Sequence, residues 1–356
     1  MTLVVNSLKP IRIGERPVGP GHPCLIIAEA GVNHNGDLAL AREIVRAAKE
    51  CGADAVKFQT FKAEEVATPE APKAAYQLIS TDPGESQLAM LKRLELPEAA
   101  HEELFSLARS LGLLFLSTPY GGEAATMLDR LGVPAFKVAS GQIVELSLLE
   151  HVARFGKPVI LSTGLASLEE VVQAVETIRK AGNDQIVLLQ TTTDYPADPR
   201  EANLLAMDTM GRACSVSVGY SDHTPGIAVA LAAAARGACV IEKHFTLDRC
   251  LPGPDHRCSA DAAEFRALVR GIREVEAALG DGRKRPSAGE LVNVPGMRRS
   301  LVAAVDIPAG QVLTAEMLTF KRPGTGISPA RLRDVVGRRS AVRIPRNTLL
   351  SFDLLQ

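Results

Sequence analysis

Short apolar runs recur along the chain before residue 245, and nearly all of them end in polar or ionisable side chains. In order, CLIIAEA closes on Glu29, AVKFQT carries Lys57 and Gln59, LLFLSTP carries Thr118, and AFKVAS carries Lys137 and Ser140. PVILSTG then supplies Ser162 and Thr163, IVLLQTT supplies Thr191, SVGYSDH supplies Ser221 and His223, and CVIEKHF supplies His244. Helix-patterned stretches separate most of them: Asp37 to Cys51, Pro97 to Leu111, Leu168 to Ala181, Gly226 to Ala235 and Ala260 to Leu279. Strand alternating with helix implies an α/β fold with a parallel sheet, and this number of repeats suggests closure into a TIM (β/α)8 barrel. Strand tips then converge on one mouth, so polar residues far apart in sequence share a single site. That arrangement suits an enzyme.

Two features interrupt the pattern. From Phe61 to Leu96 the chain runs too long for an ordinary strand-to-helix loop, which predicts an excursion over the mouth. Gly280-Asp281-Gly282, followed by Arg283-Lys284-Arg285-Pro286, reads as a linker. We therefore expect a barrel domain over 1–280, a linker over 281–295 and a small β-rich domain over 296–356. The last contains a near-repeat: AAVDIPAGQVLTAEML (Ala303 to Leu318) resembles SAVRIPRNTLLSFDLL (Ser340 to Leu355). Proline cannot donate to a ladder, so each Ile-Pro marks a strand end or edge.

Bulk properties exclude several function classes. The 356 residues are 46% apolar and 23% charged, enough for a sizeable core. A formal net charge of −1 leaves no electrostatic footprint for nucleic acid or an anionic membrane. Six cysteines show no framework spacing, and Cys24, Cys51 and Cys239 lie in or beside apolar runs, so reduced thiols in a reducing compartment are expected. The N-terminal MTLVVNSLKPIRIG lacks a signal-peptide apolar region, and IAVALAAAA stops at Arg236, so a cytoplasmic protein is expected.

His223 and His244 end neighbouring candidate strands, so two imidazoles can point at one cation. Strand parity separates Asp222 from His223, which defeats a catalytic triad built from Ser221, Asp222 and His223. Two histidines with open positions suit a labile Mn²⁺-, Co²⁺- or Mg²⁺-type ion completed by water and substrate. Ordinary half-buried histidines are the plainer reading, and Cys250, His256 and Cys258 offer a second, weaker metal set. Lys57 and Lys137 lie within apolar runs, and a buried lysine must meet an anion. A carboxylate such as Glu29 or Glu242 would satisfy one lysine; two lysines beside Thr118, Ser140 and Ser162 resemble a cradle for a substrate bearing carboxylate and phosphate. No Walker-type loop or GxGxxG follows a strand, so nucleotide binding has no support. Glu29, at the mouth, is a natural general acid or base.

Taken together, IAEAGVNHNG, VKFQT, FLSTPY, FKVASG, ILSTG, TTDYP, GYSDHT, IEKHFTLDRCLPGPDH and KRPGTGISP resemble one family, the sialic acid (nonulosonate) synthases. The motifs run in order from about Cys24 to the terminal module, which resembles the family's antifreeze-protein-like (SAF) domain. The resemblance implies a TIM barrel that condenses phosphoenolpyruvate with an N-acylated mannosamine-type sugar. It also implies a divalent metal, Mn²⁺ by preference, and a domain-swapped homodimer. It assigns His223 and His244 to the metal, and Glu29 to catalysis with Lys57, Lys137 and Arg322. Thr118, Ser140, Ser162, Thr193 and Ser221 fall to phosphoenolpyruvate, and Gln59, Tyr195 and Asp255 to the sugar. Arg322 matches an arginine that the partner's terminal domain inserts into the site. Sialic acid synthases typically show asparagine where this chain has Thr193, and Gln190-Thr191-Thr192 departs as well. Threonine there looks more like the legionaminate-type synthases, which take a 2,4-diacetamido-trideoxy sugar.

Three rival readings differ in what they require. A heptulosonate- or octulosonate-phosphate synthase would need a second, arginine-rich phosphate pocket, absent from the barrel runs. A metal-dependent hydrolase would need more histidines and a carboxylate ligand. A non-enzymatic ice- or carbohydrate-binding module would want a flat threonine surface, whereas the terminal module carries Lys321-Arg322 and Arg338-Arg339.

Overall fold

Period-two alternation decides which way each strand residue points, and the computed structural model, which describes residues 8–356, follows it in the barrel strands apart from a register shift between Glu29 and Gly31. The segment Met1–Ser7, part of the stretch read for a leader, lies outside the described residues. Contacts divide the chain into two compact units, Met1–Gly280 and Asp281–Gln356.

In the first unit, β1 (Ile11–Ile13) and β2 (Arg16–Val18) form an antiparallel hairpin. Eight strands follow: β3 (Leu25–Gly31), β4 (Ala55–Thr60), β5 (Leu114–Pro119), β6 (Phe136–Val138), β7 (Val159–Ser162), β8 (Ile186–Thr191), β9 (Ser217–Asp222) and β10 (Val240–His244). All pair in parallel in the order β5-β4-β3-β10-β9-β8-β7-β6, and β5 and β6 lie side by side to bring the ring nearly closed. It is a TIM-like barrel.

The first helix illustrates why the connecting segments coil. Asp37 accepts from the Ala39 N–H at its start, and Ala41, Ile44, Val45 and Ala48 bury one face over Leu38–Glu50. Gly52, at φ +86°, turns the chain back where a side chain would be strained. Outward strand residues such as Ile26, Ala28, Val56, Phe58, Phe115, Leu161 and Tyr220 pack beneath the helices. Inward residues at the start of the strands form a separate apolar layer, among them Leu25, Ile27, Ala55, Leu116, Ile160, Val187 and Val240. Ile13 and Val18 of the hairpin join that layer and seal the bottom of the barrel. Gly219 belongs between the two ends: a Cβ there would meet the Val240 carbonyl oxygen at 2.4 Å.

The Phe61–Leu96 excursion contains three short helices, Ala63–Val66, Ala75–Ser80 and Gln87–Leu94. Phe61, Met90 and Leu94 pack with Val32 to anchor it. Among the described residues, no helix is long and apolar enough to cross a membrane.

In the second unit, β11 (Ser300–Ala303) pairs antiparallel with β12 (Leu318–Lys321) around Leu301, Ile307, Leu313, Ile344 and Leu350. The two Ile-Pro sites of the near-repeat face each other. Ile307 and Ile344 exchange backbone hydrogen bonds of 2.9 and 2.8 Å before each proline ends the pairing. Elsewhere the unit holds isolated bridges and single turns, so regular strand is sparser than the alternating pattern suggests. Residues 281–295, read from the sequence as a linker, include the short helix Ala288–Leu291.

Candidate active site

Two residues beyond the apolar layer, the same inward positions turn polar. On β3 the step is from Ile27 to Glu29, on β4 from Ala55 to Lys57, and on β10 from Val240 to Glu242. Glu29 and Lys57 are also direct neighbours in the β3–β4 register. Lys57 Nζ lies 2.7 Å from Glu29 Oε2 and 3.6 Å from Glu242 Oε1, and donates to Thr118 Oγ1 at 3.1 Å. Lys137 Nζ approaches the same Glu242 oxygen at 3.4 Å, and Ser221 Oγ donates to it at 3.3 Å. Gln59 Nε2 donates to Glu29 Oε1 at 3.3 Å. Both lysines thus have carboxylate partners already, as the plainer reading of each would require. Glu242 Oε2 nevertheless has no partner and is buried.

Burial sets the electrostatics of this layer. It pushes Glu29 up to about 7, against the pull of Lys57. Burial also works to discharge Lys57, but Glu242 and Glu29 outweigh it and raise that lysine. For Lys137 burial wins and the value falls, with Glu242 opposing. Glu242 is held low because Lys137 and Lys57 overcome its burial.

Beside this layer, the rings of His223 and His244 stand 5.4 Å apart. Parity works as the strand pattern requires. Asp222 points the other way, into a buried 2.7 Å ion pair with Lys243, while its neighbour His223 faces the mouth. His223 Nδ1 donates to the Thr192 carbonyl at 2.7 Å, which leaves Nε2 with its lone pair outward. His244 Nδ1 is buried without a hydrogen bond, 3.9 Å from Asp255 Oδ2. Burial lowers His223 to about 4 and His244 well below the usual range, so both are neutral. Two neutral, adjacent imidazoles with an orphaned ring nitrogen fit a divalent cation whose remaining positions are open. Among the described residues no group of three or more His, Cys, Asp or Glu is arranged to hold a metal ion. The Cys250–His256–Cys258 alternative fails in particular: Cys250 is exposed, and His256 is engaged by Thr246 at 2.7 Å and Asn35 at 3.2 Å.

The remaining assigned residues of the first unit border the same mouth. Ser140 Oγ accepts from the Gly164 N–H at 3.0 Å, and a Cβ on Gly164 would meet Thr193 Oγ1 at 2.2 Å and Ser140 Oγ at 2.8 Å. Ser162 Oγ and Thr193 Oγ1 are buried without partners, hydroxyls that a bound oxyanion would satisfy. A Cβ on Gly31 would lie 3.3 to 3.6 Å from Glu29, Gln59 and Asp255, so these three surround one point. The Tyr195 ring rests 4.1 Å from His223 and 5.7 Å from His244. Arg322, in the second unit, is exposed and donates to the Met297 carbonyl at 3.2 Å.

Sequence reasoning missed the central role of Glu242, which shares parity with His244 in VIEKH and was legible on that ground. It also missed Tyr76, whose helix sits in a segment with no strand or helix period to flag it.

Comparison with known proteins agrees with this geometry. Residues 44–284 match the NeuB family model and residues 298–356 the SAF domain model. An N,N'-diacetyllegionaminic acid synthase of Legionella pneumophila is 46% identical over 96% of this chain and 98% of its own length. The Campylobacter jejuni protein of the same name is 48% identical, over 88% of this chain and 95% of its own. The solved N-acetylneuraminic acid synthetase of Leptospira borgpetersenii, in complex with citrate, superposes with a TM-score of 0.72 at 34% identity, covering 80% of this chain and 95% of that one. A barrel whose mouth joins two lysines, two carboxylates and two neutral imidazoles, followed by a SAF domain, thus places the chain in the NeuB family.

Proposed function

We propose that the protein condenses phosphoenolpyruvate with the open-chain form of 2,4-diacetamido-2,4,6-trideoxymannose, giving N,N'-diacetyllegionaminate and inorganic phosphate. The names of the L. pneumophila and C. jejuni relatives and the threonine at position 193 favour that sugar. N-acetylmannosamine, giving N-acetylneuraminate, is the second reading, and the Leptospira neighbour's name supports it. The observation that carries the proposal is the Glu29–Lys57–Glu242–Lys137 layer, with Glu242 two residues along β10 from the imidazole of His244.

Lys57 and Lys137, with the hydroxyls of Thr118, Ser140, Ser162, Thr193 and Ser221, hold the carboxylate and phosphate of phosphoenolpyruvate. Its C3 then starts near the aldehyde carbon of the sugar. Gln59, Tyr195 and Asp255 orient the sugar. A divalent cation on His223 and His244, Mn²⁺ by preference with Mg²⁺ or Co²⁺ as alternatives, supplies Lewis-acid polarisation of the aldehyde when bound. C3 bonds to the aldehyde carbon, water adds to C2 and returns to Glu29 the proton that this residue gives the aldehyde oxygen, and the resulting tetrahedral centre collapses to the C2 ketone, its hydroxyl proton leaving with the expelled phosphate. Glu29, poised near neutrality, delivers a proton to the former aldehyde oxygen. The site is completed by Arg322 from the SAF domain of a second copy in a domain-swapped homodimer. Six free cysteines support a reducing, cytoplasmic setting.

Phosphate release with phosphoenolpyruvate, Mn²⁺ and each sugar in turn tests the reaction. The diacetamido sugar should give the higher kcat/KM; release with neither sugar would remove the proposal. For the dimer, inactive His244→Ala and Arg322→Ala proteins should regain activity when mixed and refolded together. Two mixed proteins that stay inactive would refute action in trans.

A further inference from the structure

Tyr76 stands over the mouth on the short helix Ala75–Ser80 of the Phe61–Leu96 excursion, and nothing in the mechanism above uses it. Its ring lies 4.8 Å from that of Tyr195, tilted by 35°, and Tyr195 in turn lies 4.1 Å from His223. Three rings therefore line up from the excursion to the imidazole pair. The Tyr76 hydroxyl accepts a 3.4 Å hydrogen bond from Gln77 Nε2, and the side chain lies near enough to the Asp255 carboxylate for each to bear on the other's charge. The helix is tied down on both sides. Ser80 Oγ donates to the Pro254 carbonyl at 3.1 Å, next to Asp255. Buried Lys73 donates to Thr81 Oγ1 at 3.0 Å and to the Asp82 carbonyl at 2.7 Å. A ring held that firmly beside a second ring and a buried carboxylate makes a wall with two apolar faces and one acceptor.

We propose that Tyr76 is a specificity-determining residue, contacting the end of the sugar remote from its aldehyde. This deepens the functional reading above and rests on it. An aldehyde presented toward His223 and His244 leaves the far end of the sugar running along Tyr195 toward Tyr76. In the diacetamido-trideoxy sugar that end carries a C4 acetamido group and a C6 methyl. The methyl groups pack on aromatic faces, and the acetamido N–H can donate to the carboxylate of Asp255. N-acetylmannosamine presents hydroxyls at both positions, which an aromatic wall desolvates without fully pairing. Tyr76 thereby selects the deoxy, diacylated sugar.

The test uses full-length Tyr76→Phe and Tyr76→Ala proteins, with kcat and KM measured for phosphoenolpyruvate and for both sugars. Tyr76→Ala should raise KM for the diacetamido sugar on the order of tenfold while KM for phosphoenolpyruvate stays within about twofold, and the kcat/KM preference over N-acetylmannosamine should shrink. Tyr76→Phe keeps the ring, so the preference should persist with a smaller rise in KM. The proposal is overturned if sugar KM is unchanged in both variants, or if constants for phosphoenolpyruvate and both sugars deteriorate equally. A wild-type protein that releases phosphate with neither sugar would instead sink the functional reading, so the two failures are distinguishable.

Discussion

The two ends of the barrel interior are built by the same strands and do opposite jobs. At the bottom, Leu25, Ile27, Ala55, Leu116, Ile160 and Val240 pack against the hairpin residues Ile13 and Val18 as one apolar cluster. One inward step along the strands, Glu29, Lys57, Lys137 and Glu242 meet with almost no solvent between them. The lower layer stabilises through apolar burial, about 1.5–3 kcal/mol for a large side chain. The upper layer pays desolvation for four ionisable groups, which packed apolar residues of similar volume would match or better as a source of stability. Stability is thus concentrated at one end and chemistry at the other, which lets the mouth carry charges that contribute little to folding.

The largest effect that would sharpen this division is at the imidazoles. His244→Ala should lower metal-dependent turnover by roughly a thousandfold or more, with circular dichroism of the folded protein unchanged; retained turnover would break the assignment. Next comes Lys57→Met, which strips the shared cation from between Glu29 and Glu242. It should cut kcat/KM by on the order of 10²–10³ and cost about 3–5 kcal/mol in urea denaturation. If the apolar end is purely structural, Leu25→Ala should cost about 2–5 kcal/mol yet leave kcat/KM of the folded enzyme intact. A large loss of kcat/KM there would mean that the two layers are not separable.

The smallest effect is in pH. Burial raises Glu29 from 4.5 in the unfolded chain to about 7 in the folded one. Between those values the native state holds a proton that the unfolded state has lost. Its contribution to stability is therefore full below pH about 4.5, declines as pH rises to about 7 and is flat above it. Glu29→Gln should flatten that segment of the stability–pH curve. The same substitution should remove the limb of kcat/KM that falls above pH about 7 in the wild type. A limb that persists in the variant belongs to another group.

Much of this contrast was legible from residue patterns because a strand offers only two directions. Parity alone put Lys57 with Gln59 on one face and Val56 with Phe58 on the other, and separated Asp222 from His223. Closure of the strands then gathered the tips. The hairpin that seals the bottom was not read, because IRI and RPV are too short to register a period and their burial depends on the finished barrel. Glu242 was noticed only as a partner for a lysine. Its place between two lysines depends on β10 lying one strand away from β4, across β3, and facing β6 over the ring, a juxtaposition that no local pattern encodes. Tyr76 escaped for the opposite reason: its helix is short and is held by tertiary contacts to the Pro254–Asp255 loop.

The most direct measurement is a crystal structure of the protein soaked with Mn²⁺ and phosphoenolpyruvate, with anomalous diffraction used to locate the metal. One anomalous peak bonded to both His223 and His244, with the phosphoenolpyruvate oxygens on Lys57 and Lys137, is the predicted result. Metal bound elsewhere, or phosphoenolpyruvate lying away from the two lysines, would contradict it.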